Sequence, residues 1–334
     1  MSRISVIAAL AAGIVIPSAV ASATWDVVNL HPAGAAASVA LAAADGMQAG
    51  EALIGDIFRA GLWSGTATSW VDLHPDGASS STVNGTHSGQ QVGFAIIGGT
   101  VRASLWNGTA ASWVDLNPAG ATNSNAFAAH NAQQVGRANV GGSNRASLWS
   151  GTAASWIDLT PAGATSSIAF GVHSGQQVGL ALFGASSRAS LWSGTAESWI
   201  DLTPAGALSA EARAIHSGQQ VGLAVIGDTT RASLWSGTAE SWVDLHPAGA
   251  TISRANAIHS GHIAGEAFID GVVNASYWNG TADSWINLHA FLPAEFISSV
   301  ARGVYSDGNT IFVAGFGVNT ATGRSEALMW VIPT

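Results

Sequence analysis

The sequence is built on a repeat of 43 residues, and this periodicity constrains the fold more than any other feature. Residues 188–207 read RASLWSGTAESWIDLTPAGA, and residues 231–250 repeat this text with only two changes. Periods of this length are typical of solenoids, propellers and other arrays of one structural unit. Two tryptophan series mark the unit, the second seven residues after the first: Trp63, Trp106, Trp149, Trp192, Trp235 and Trp278, then Trp70, Trp113, Trp156, Trp199, Trp242 and Trp285.

Each repeat contains four segments with the pattern of short strands. In residues 166–204 they read SSIAFGVHSG, QQVGLALFG, SRASLWSG and ESWIDLTP, with Gly, Ser and Pro between them. Four strands in a unit of this length are typical of one blade of a β-propeller. We expect the first strand to line a central channel, and the TPAGA or HPAGA segment to cross to the next blade through a turn fixed by Pro and Gly.

The two ends of the array carry complementary half-units. Trp25 belongs to the second tryptophan series but has no first-series Trp seven residues before it. Trp330 belongs to the first series but has no second-series Trp after it. A closed ring would join these halves, whereas a solenoid, the competing architecture, would need capping repeats. We therefore predict an all-β, seven-bladed β-propeller of four-stranded blades. The N-terminal strand is expected to complete the blade that the C-terminal three strands begin.

The first 23 residues have the pattern of a secretory signal peptide. Arg3 precedes an apolar stretch that ends in a small-residue site, Ala-Ser-Ala, at Ala23. A membrane anchor is the alternative, but Gly13 and Pro17 interrupt the stretch. We predict cleavage near Ala23, a mature propeller domain at residues 24–334 without a membrane span, and an extracellular or periplasmic location.

Composition limits how the mature chain is stabilised and what it binds. Hydrophobic residues make up 48% of the chain and charged residues 9%, which favours a large core over disorder. The chain has no Cys, so no disulfide framework supports the fold. The net charge is −9 and no basic stripe is present, which argues against nucleic acid and against acidic glycans as partners.

The repeat resembles the HAF-type extracellular repeat. Units of that family carry a turn before GQVVG, then HAFLW, then a strand containing DLG, and the corresponding text here is AIHSGQQVG, RASLW and WVDLHPAGA. Arg-Ala-Ser replaces His-Ala-Phe in this chain. The resemblance covers nearly all of the mature chain and implies a secreted, β-propeller-like repeat protein without specifying its activity.

The hairpin between the third and fourth strands carries the candidate binding site. If Trp106 faces Trp113 across the hairpin, Ser104 faces Asp115, and Arg102 lies diagonal to Asp115 on the same face. Indoles can stack on the apolar face of a sugar ring while charged groups bind its hydroxyls. The predicted ligand-binding residues are Trp106, Trp113, Arg102, Asp115, Trp149, Trp156, Arg145, Asp158, Trp192, Trp199, Arg188, Asp201, Trp235, Trp242, Arg231 and Asp244.

The same hairpin groups also have a purely structural interpretation, as a staple between blades with the Arg plane packed on Trp. The repeats themselves favour Arg–Asp pairing within one hairpin. Where Asn274 replaces the Arg, Asn287 replaces the Asp, and Glu326 at the Arg position corresponds to Asn29 at the Asp position.

Two further residue types recur at fixed positions. A Gly in the second strand of all seven repeats predicts a close approach by another backbone or by a large ring, for which Trp is the expected neighbour. A His occupies the first hairpin turn of five repeats. Because positions on different blades diverge around a ring and no His-x-His pair occurs, we expect these side chains to bond their own turn backbone and predict no metal site and no cofactor. The histidines are His87, His130, His173, His216 and His259.

These observations favour a secreted, non-enzymatic recognition or scaffold protein. Its expected partner is an extracellular glycan or a cell-surface protein, bound multivalently through repeated sites. One alternative is a hydrolase or lyase of extracellular polysaccharide acting from the channel, and another is a purely structural envelope protein. A channel enzyme would need non-repeated residues that converge there. The charged candidates near the inner strands are Arg137, Glu211, Arg213, Arg254, Glu266 and Arg302.

Overall fold

The computed structural model describes residues 24–334, so the predicted signal peptide lies outside the described residues. Within this range 28 strands form seven four-stranded antiparallel sheets, and the predicted seven-bladed β-propeller is confirmed. The described residues include no α-helix and only short 3-10 turns. None of these helical turns has the length and apolar character needed to cross a bilayer.

The blades follow one another along the chain, each running from the channel to the rim. Blade 1 contains β2 (Ala37–Ala44), β3 (Met47–Ile54), β4 (Ile57–Trp63) and β5 (Val71–Asp72), and blade 2 contains β6 (Ala78–His87), β7 (Gln90–Ile97), β8 (Thr100–Trp106) and β9 (Val114–Asp115). Blade 3 contains β10 (Asn123–His130), β11 (Gln133–Val140), β12 (Ser143–Trp149) and β13 (Ile157–Asp158).

The remaining blades repeat this plan. Blade 4 contains β14 (Ser166–His173), β15 (Gln176–Phe183), β16 (Ser186–Trp192) and β17 (Ile200–Asp201), and blade 5 contains β18 (Ala207–His216), β19 (Gln219–Ile226), β20 (Thr229–Trp235) and β21 (Val243–Asp244). Blade 6 contains β22 (Ile252–His259), β23 (His262–Ile269), β24 (Val272–Trp278) and β25 (Ile286–Asn287), and blade 7 contains β26 (Phe296–Ser306), β27 (Thr310–Asn319), β28 (Arg324–Pro333) and β1 (Asp26–Asn29).

The seventh sheet is assembled from both ends of the described chain. β1 pairs antiparallel with β28, placing Asp26 opposite Val331, and the sheet order is β1-β28-β27-β26. Blades 7 and 1 are also in contact, because the backbone N–H of Ala327 donates to Ser38 Oγ at 3.0 Å. The first strand of the described residues is therefore the outermost strand of blade 7.

The second strand of each blade has a Gly because the first strand of the same blade comes too close for a side chain. A Cβ on Gly136 would lie 2.0 Å from the carbonyl oxygen of Asn125, next to a bulge in β10. The predicted close approach is confirmed, but the neighbour is backbone and not Trp as expected. Equivalent clashes would occur at Gly50, Gly93, Gly179, Gly222, Gly265 and Gly315.

The hydrophobic core lies between neighbouring blades. Trp106 of blade 2 packs in one cluster with Leu62 and Leu73 of blade 1 and with Val83. The same arrangement recurs around the ring, with the first Trp of one blade packed against the blade before it. Burying a side chain of this size removes up to about 250 Å² of surface from water, so these contacts dominate the stability of the blade junctions.

A buried serine, and not the Arg–Trp arrangement, links the blades through hydrogen bonds. Ser124 Oγ on blade 3 accepts from the backbone N–H of Ala103 on blade 2 at 2.8 Å. Blade 5 has Ala210 at the equivalent position, and there Thr203 Oγ1 accepts from the N–H of Ala189 at 3.2 Å. The exception indicates that this backbone donor requires an acceptor, because it lies at a buried junction.

Candidate functional site

The Arg–Asp pairs lie within single hairpins, as the sequence predicts. Ser104 is opposite Asp115 in the β8–β9 register, and Arg102 Nη1 is 2.7 Å from Asp115 Oδ2. The substituted hairpins follow the same rule, since Asn287 donates to Asn274 Oδ1 at 3.3 Å. The other pairs are Arg59–Asp72 at 2.9 Å, Arg145–Asp158 at 3.5 Å, Arg188–Asp201 at 2.6 Å and Arg231–Asp244 at 2.7 Å.

The carboxylate of each pair also holds the crossover to the next blade. Asp115 Oδ1 accepts from the backbone N–H of Asn117 at 2.8 Å, so both of its oxygens have protein partners. The same bond recurs two residues beyond Asp158, Asp201 and Asp244. An ion pair with this much solvent exposure contributes only about 0 to 1 kcal/mol. Its main effect is therefore to fix the position of the guanidinium.

The first Trp of each hairpin offers no surface to a ligand. The indoles of Trp106, Trp149, Trp192 and Trp235 are completely buried between blades. Their prediction as ligand-binding residues is therefore corrected to a role in the core. The alternating pattern of a single strand does not reveal that these indoles are buried, because the residues that cover them belong to the preceding blade.

The second Trp of each hairpin is only partly buried and is held in a fixed orientation. Trp113 Nε1 donates to Ser104 Oγ at 2.9 Å, and the same bond orients the indoles of Trp156, Trp199 and Trp242. Gly61 replaces this serine in blade 1, and there Trp70 packs directly on Trp63, with ring centroids 4.7 Å apart.

A groove between blades 1 and 2 exposes part of the Trp113 indole. It has a volume of about 360 Å³ and is lined by Pro75, Asp76, Ala110, Ala111 and Trp113. The crossover supplies Pro75 and Asp76, while the 3-10 turn Ala110–Ser112 supplies the alanines. Pro and Trp recur at the equivalent positions of the following repeats, so we call this feature the rim groove.

The turn histidines lie in contact with one another, contrary to the sequence-based expectation. Neighbouring imidazole centroids from His87 to His259 are 4.3 to 4.4 Å apart, and Tyr305 follows at 4.9 Å. Four of the five imidazoles accept a hydrogen bond from the next blade's turn and not from their own: Ser174 N–H donates to His130 Nδ1 at 3.2 Å and Ser217 N–H donates to His173 Nδ1 at 3.3 Å, and His216 and His259 accept in the same way. We call these five side chains the histidine ring.

Four members of the histidine ring, His130, His173, His216 and His259, are held as neutral imidazoles. Burial, reinforced by neighbouring histidines, lowers the pKa of His130 and of His216 to about 4. Burial is also the main cause of the lowered pKa of His173 and of His259. The hydrogen bonds require a neutral imidazole, since an Nδ1 atom that accepts a bond from a backbone N–H carries no proton. Among residues 24–334 no group of three or more His, Asp or Glu side chains has the arrangement of a metal site.

Behind the histidine ring the channel widens into a cavity of about 610 Å³. One position of each inner strand contributes a side chain to it, and unlike most positions of the repeat this one differs from blade to blade. We call this level the channel tier: Leu41, Asn84, Phe127, Phe170, Arg213, Asn256 and Arg302.

Sequence reasoning identified only part of the channel tier. The charge changes at Arg213 and Arg302 were recognised as departures from the repeat, but Phe127, Phe170 and Asn256 were not. The missed signal is a single alignment position at which a nearly uniform repeat has no preferred residue. The charged candidate Arg137 does not line this cavity, and its Nη1 donates to Asn144 Oδ1 at 3.2 Å.

No model of a known protein family matches this chain, and no curated protein sequence matches it. Known structures resemble it in fold. The β-propeller domain of the trilobed protease from Pyrococcus furiosus aligns with a TM-score of 0.58 at 9% identity, covering 89% of this chain and 94% of that one.

Two larger hydrolases resemble the chain over only part of their length. Puromycin hydrolase aligns with a TM-score of 0.56 at 10% identity, covering 86% of this chain and 53% of that one. Pyrococcus horikoshii acylaminoacyl peptidase aligns with a TM-score of 0.54 at 10% identity, covering 88% of this chain and 51% of that one. The chain thus spans about half the length of these two proteins, and at such low identity the likeness establishes the β-propeller fold alone.

Proposed function

We propose that this chain is an exported, non-enzymatic recognition propeller that binds uncharged carbohydrate through its rim grooves. The observation that carries the proposal is the partly exposed indole of Trp113 in a preformed groove, oriented by its bond to Ser104. An aromatic platform with fixed geometry binds apolar sugar faces at a low cost in conformational entropy. The indole alone forms the platform, since its hairpin partner is buried.

The charge around the grooves favours a neutral ligand. Asp76 lines the groove of blade 2, and acidic residues occupy the 3-10 turns of the later hairpins at Glu197, Glu240 and Asp283. These carboxylates can accept hydrogen bonds from sugar hydroxyls, while they repel anionic polysaccharides. Repetition around a rigid ring adds avidity on a polymer with many equivalent sites.

The channel gives less support to a hydrolase or lyase. Such a reaction needs an acid and a base that face one pocket. Glu211, however, lies 3.4 Å from Arg213, and Glu266 lies 3.0 Å from Arg254. Both carboxylates are engaged by guanidinium groups, and they line different pockets, so they do not form an acid–base pair.

The rim proposal is tested by retention of the purified chain on insoluble chitin, cellulose and β-1,3-glucan. We expect at least one of these polymers to retain the chain, and the combined variant Trp113→Ala, Trp156→Ala, Trp199→Ala and Trp242→Ala to lose about a hundredfold or more in apparent affinity. Trp→Phe changes at the same four positions should retain an intermediate affinity, because a smaller aromatic platform remains.

The matched control is Phe58→Ala, which removes an exposed aromatic ring outside the rim grooves. Its retention should equal that of the wild type. Thermal melting checks that each variant is folded. Equal retention of the quadruple variant, or no retention of the wild type by any of the three polymers, would overturn the proposal and favour a purely structural role.

A further inference from the structure

The channel tier is asymmetric, with an apolar side and a cationic side. Phe127 and Phe170 occupy neighbouring blades 3 and 4, with their ring centroids 5.6 Å apart. In a ring of seven blades, blade 7 lies across the channel from this junction, and it contributes Arg302. The cavity of about 610 Å³ thus places a phenyl surface opposite a guanidinium group.

Most polar groups around the tier have partners within the protein, and the one carboxylate that lines the same cavity, Glu211, is paired with Arg213 at 3.4 Å. Arg213 Nη1 donates to Asn256 Oδ1 at 2.8 Å, and Asn256 Nδ2 in turn donates to the carbonyl oxygen of Ala301 at 3.0 Å. Asn84 Nδ2 donates to Asn125 Oδ1 at 2.8 Å. These bonds fix the walls of the cavity and leave little capacity for new contacts.

Arg302 is the exception. No acceptor within residues 24–334 forms a hydrogen bond or an ion pair with its guanidinium, although the group carries five N–H donors. Burial and the neighbouring charges of Arg213 and Arg254 lower the pKa of Arg302, and Glu266 opposes this effect only in part. Arg302 is partly buried and lines the cavity, so its guanidinium is accessible to a ligand there, and the partial burial strengthens its attraction for an incoming anion.

We propose that the channel tier binds a small organic carboxylate with an aromatic or branched apolar body. The Arg302 guanidinium binds the carboxylate in a two-pronged geometry, and the apolar body packs on Phe127 and Phe170. This site is independent of the rim grooves.

The chemistry of both sides selects this class of ligand. A planar guanidinium matches the two oxygens of a carboxylate, and charge-assisted hydrogen bonds of this kind are roughly twice as strong as neutral ones. An inorganic anion would leave the phenyl surface without a contact. A cavity of this volume lies within the range of about 300 to 1,000 Å³ that is typical of small-molecule sites.

Isothermal titration of the full chain with 3-phenylpropanoate and with its neutral amide, 3-phenylpropanamide, tests the proposal on the wild-type protein. The two probes have nearly the same shape and differ in charge. We expect saturable binding of the acid and about ten- to a hundredfold weaker binding of the amide, because the bond to a charged group is lost. Equal affinities, or no saturable binding of the acid, would overturn the proposal.

Two variants assign the binding to Arg302. Arg302→Gln should weaken binding of the acid about ten- to a hundredfold without changing binding of the amide. Arg302→Lys should weaken binding of the acid less, since the positive charge remains but the two-pronged guanidinium geometry is lost. Arg137→Gln is the matched control, because Arg137 lies on the second strand of blade 3 outside the cavity lining. If Arg302→Gln and Arg137→Gln bind the acid equally well, the assignment is wrong. Retention on polysaccharide should be unchanged in both variants, which separates this test from that of the rim grooves.

Discussion

At Gly136 a hydrogen atom in place of a side chain allows two strands of one blade to pair. The carbonyl oxygen of Asn125 occupies the space that a Cβ would fill, at 2.0 Å. This differs from the requirement at Gly108, where φ is 80° and no atom lies within 4 Å of an added Cβ. The two glycines are therefore needed for different reasons, close packing in one case and a left-handed turn in the other.

We predict that Gly136→Ala destabilises the protein by about 3 kcal/mol or more, because only a shift of the β10 or β11 backbone relieves the clash. Gly108→Ala should cost only about 1 to 2 kcal/mol, the cost of a left-handed conformation. Urea unfolding of both variants beside the wild type measures the difference. A Gly136→Ala variant as stable as Gly108→Ala would contradict the close approach.

Single residues also show which features the sequence can predict. The Ser104–Asp115 register follows from the two-residue period of a strand, so the Arg–Asp pairs were predictable from one hairpin. Whether Trp106 or Trp113 is exposed depends on the preceding blade, which no local pattern specifies. The contact between turn histidines was missed for the same reason, since the spacing of inner strands around a channel is a property of the closed ring.

Among the structural elements, the histidine ring couples the first hairpin turns of neighbouring blades. Each bond from a turn N–H to an Nδ1 atom requires a neutral imidazole, as at Ser174 and His130. Protonation would remove this acceptor and place like charges 4.3 to 4.4 Å apart between ring centroids. Protonation of the four histidines that accept these bonds therefore weakens the contacts between neighbouring blades.

We predict that stability falls as the pH decreases from about 6.5 to about 4. In this window the unfolded chain binds protons at His130 and His216, whose ordinary pKa is 6.5, whereas the folded chain does not, because burial lowers both values to about 4. Stability therefore rises with pH across the window and is lost towards its acidic end. Neighbouring Asp45 opposes the pKa shift of His259 and should moderate the effect there.

Thermal melting of the wild type and of His130→Asn between pH 4 and 7 tests this effect. The variant keeps a polar acceptor but cannot titrate, so its melting temperature should depend less on pH. His74→Asn serves as the control outside the ring, since Asn117 occupies the equivalent crossover position in the next repeat. The same pH dependence in all three proteins would contradict the role of the ring.

For the whole molecule, closure of the ring places the channel tier. The channel tier needs side chains from all seven inner strands, whereas the rim groove at Trp113 needs only two blades that follow each other in the chain. The seven-bladed architecture was predictable because strand period, repeat length and complementary half-units all indicated it. The channel tier could not be recognised as a site from the sequence, because its residues are far apart along the chain and meet only when the ring is formed.

A cysteine pair across the junction of β1 and β28 tests closure most directly. Asp26 and Val331 are opposite each other, and facing positions in antiparallel strands have Cα separations suitable for a disulfide. The chain has no cysteine of its own, so Asp26→Cys with Val331→Cys creates the only possible disulfide. Asp26→Cys with Val114→Cys, on the outer strand of blade 2, is the matched control.

We predict that dilute Asp26→Cys/Val331→Cys protein under mild oxidation forms a disulfide within single chains and melts at a higher temperature, because the bond closes a long loop. The control pair should stay reduced. Crosslinking of the β1–β28 pair no greater than that of the control, or crosslinking only between different chains, would contradict a ring closed by the two ends of the same molecule.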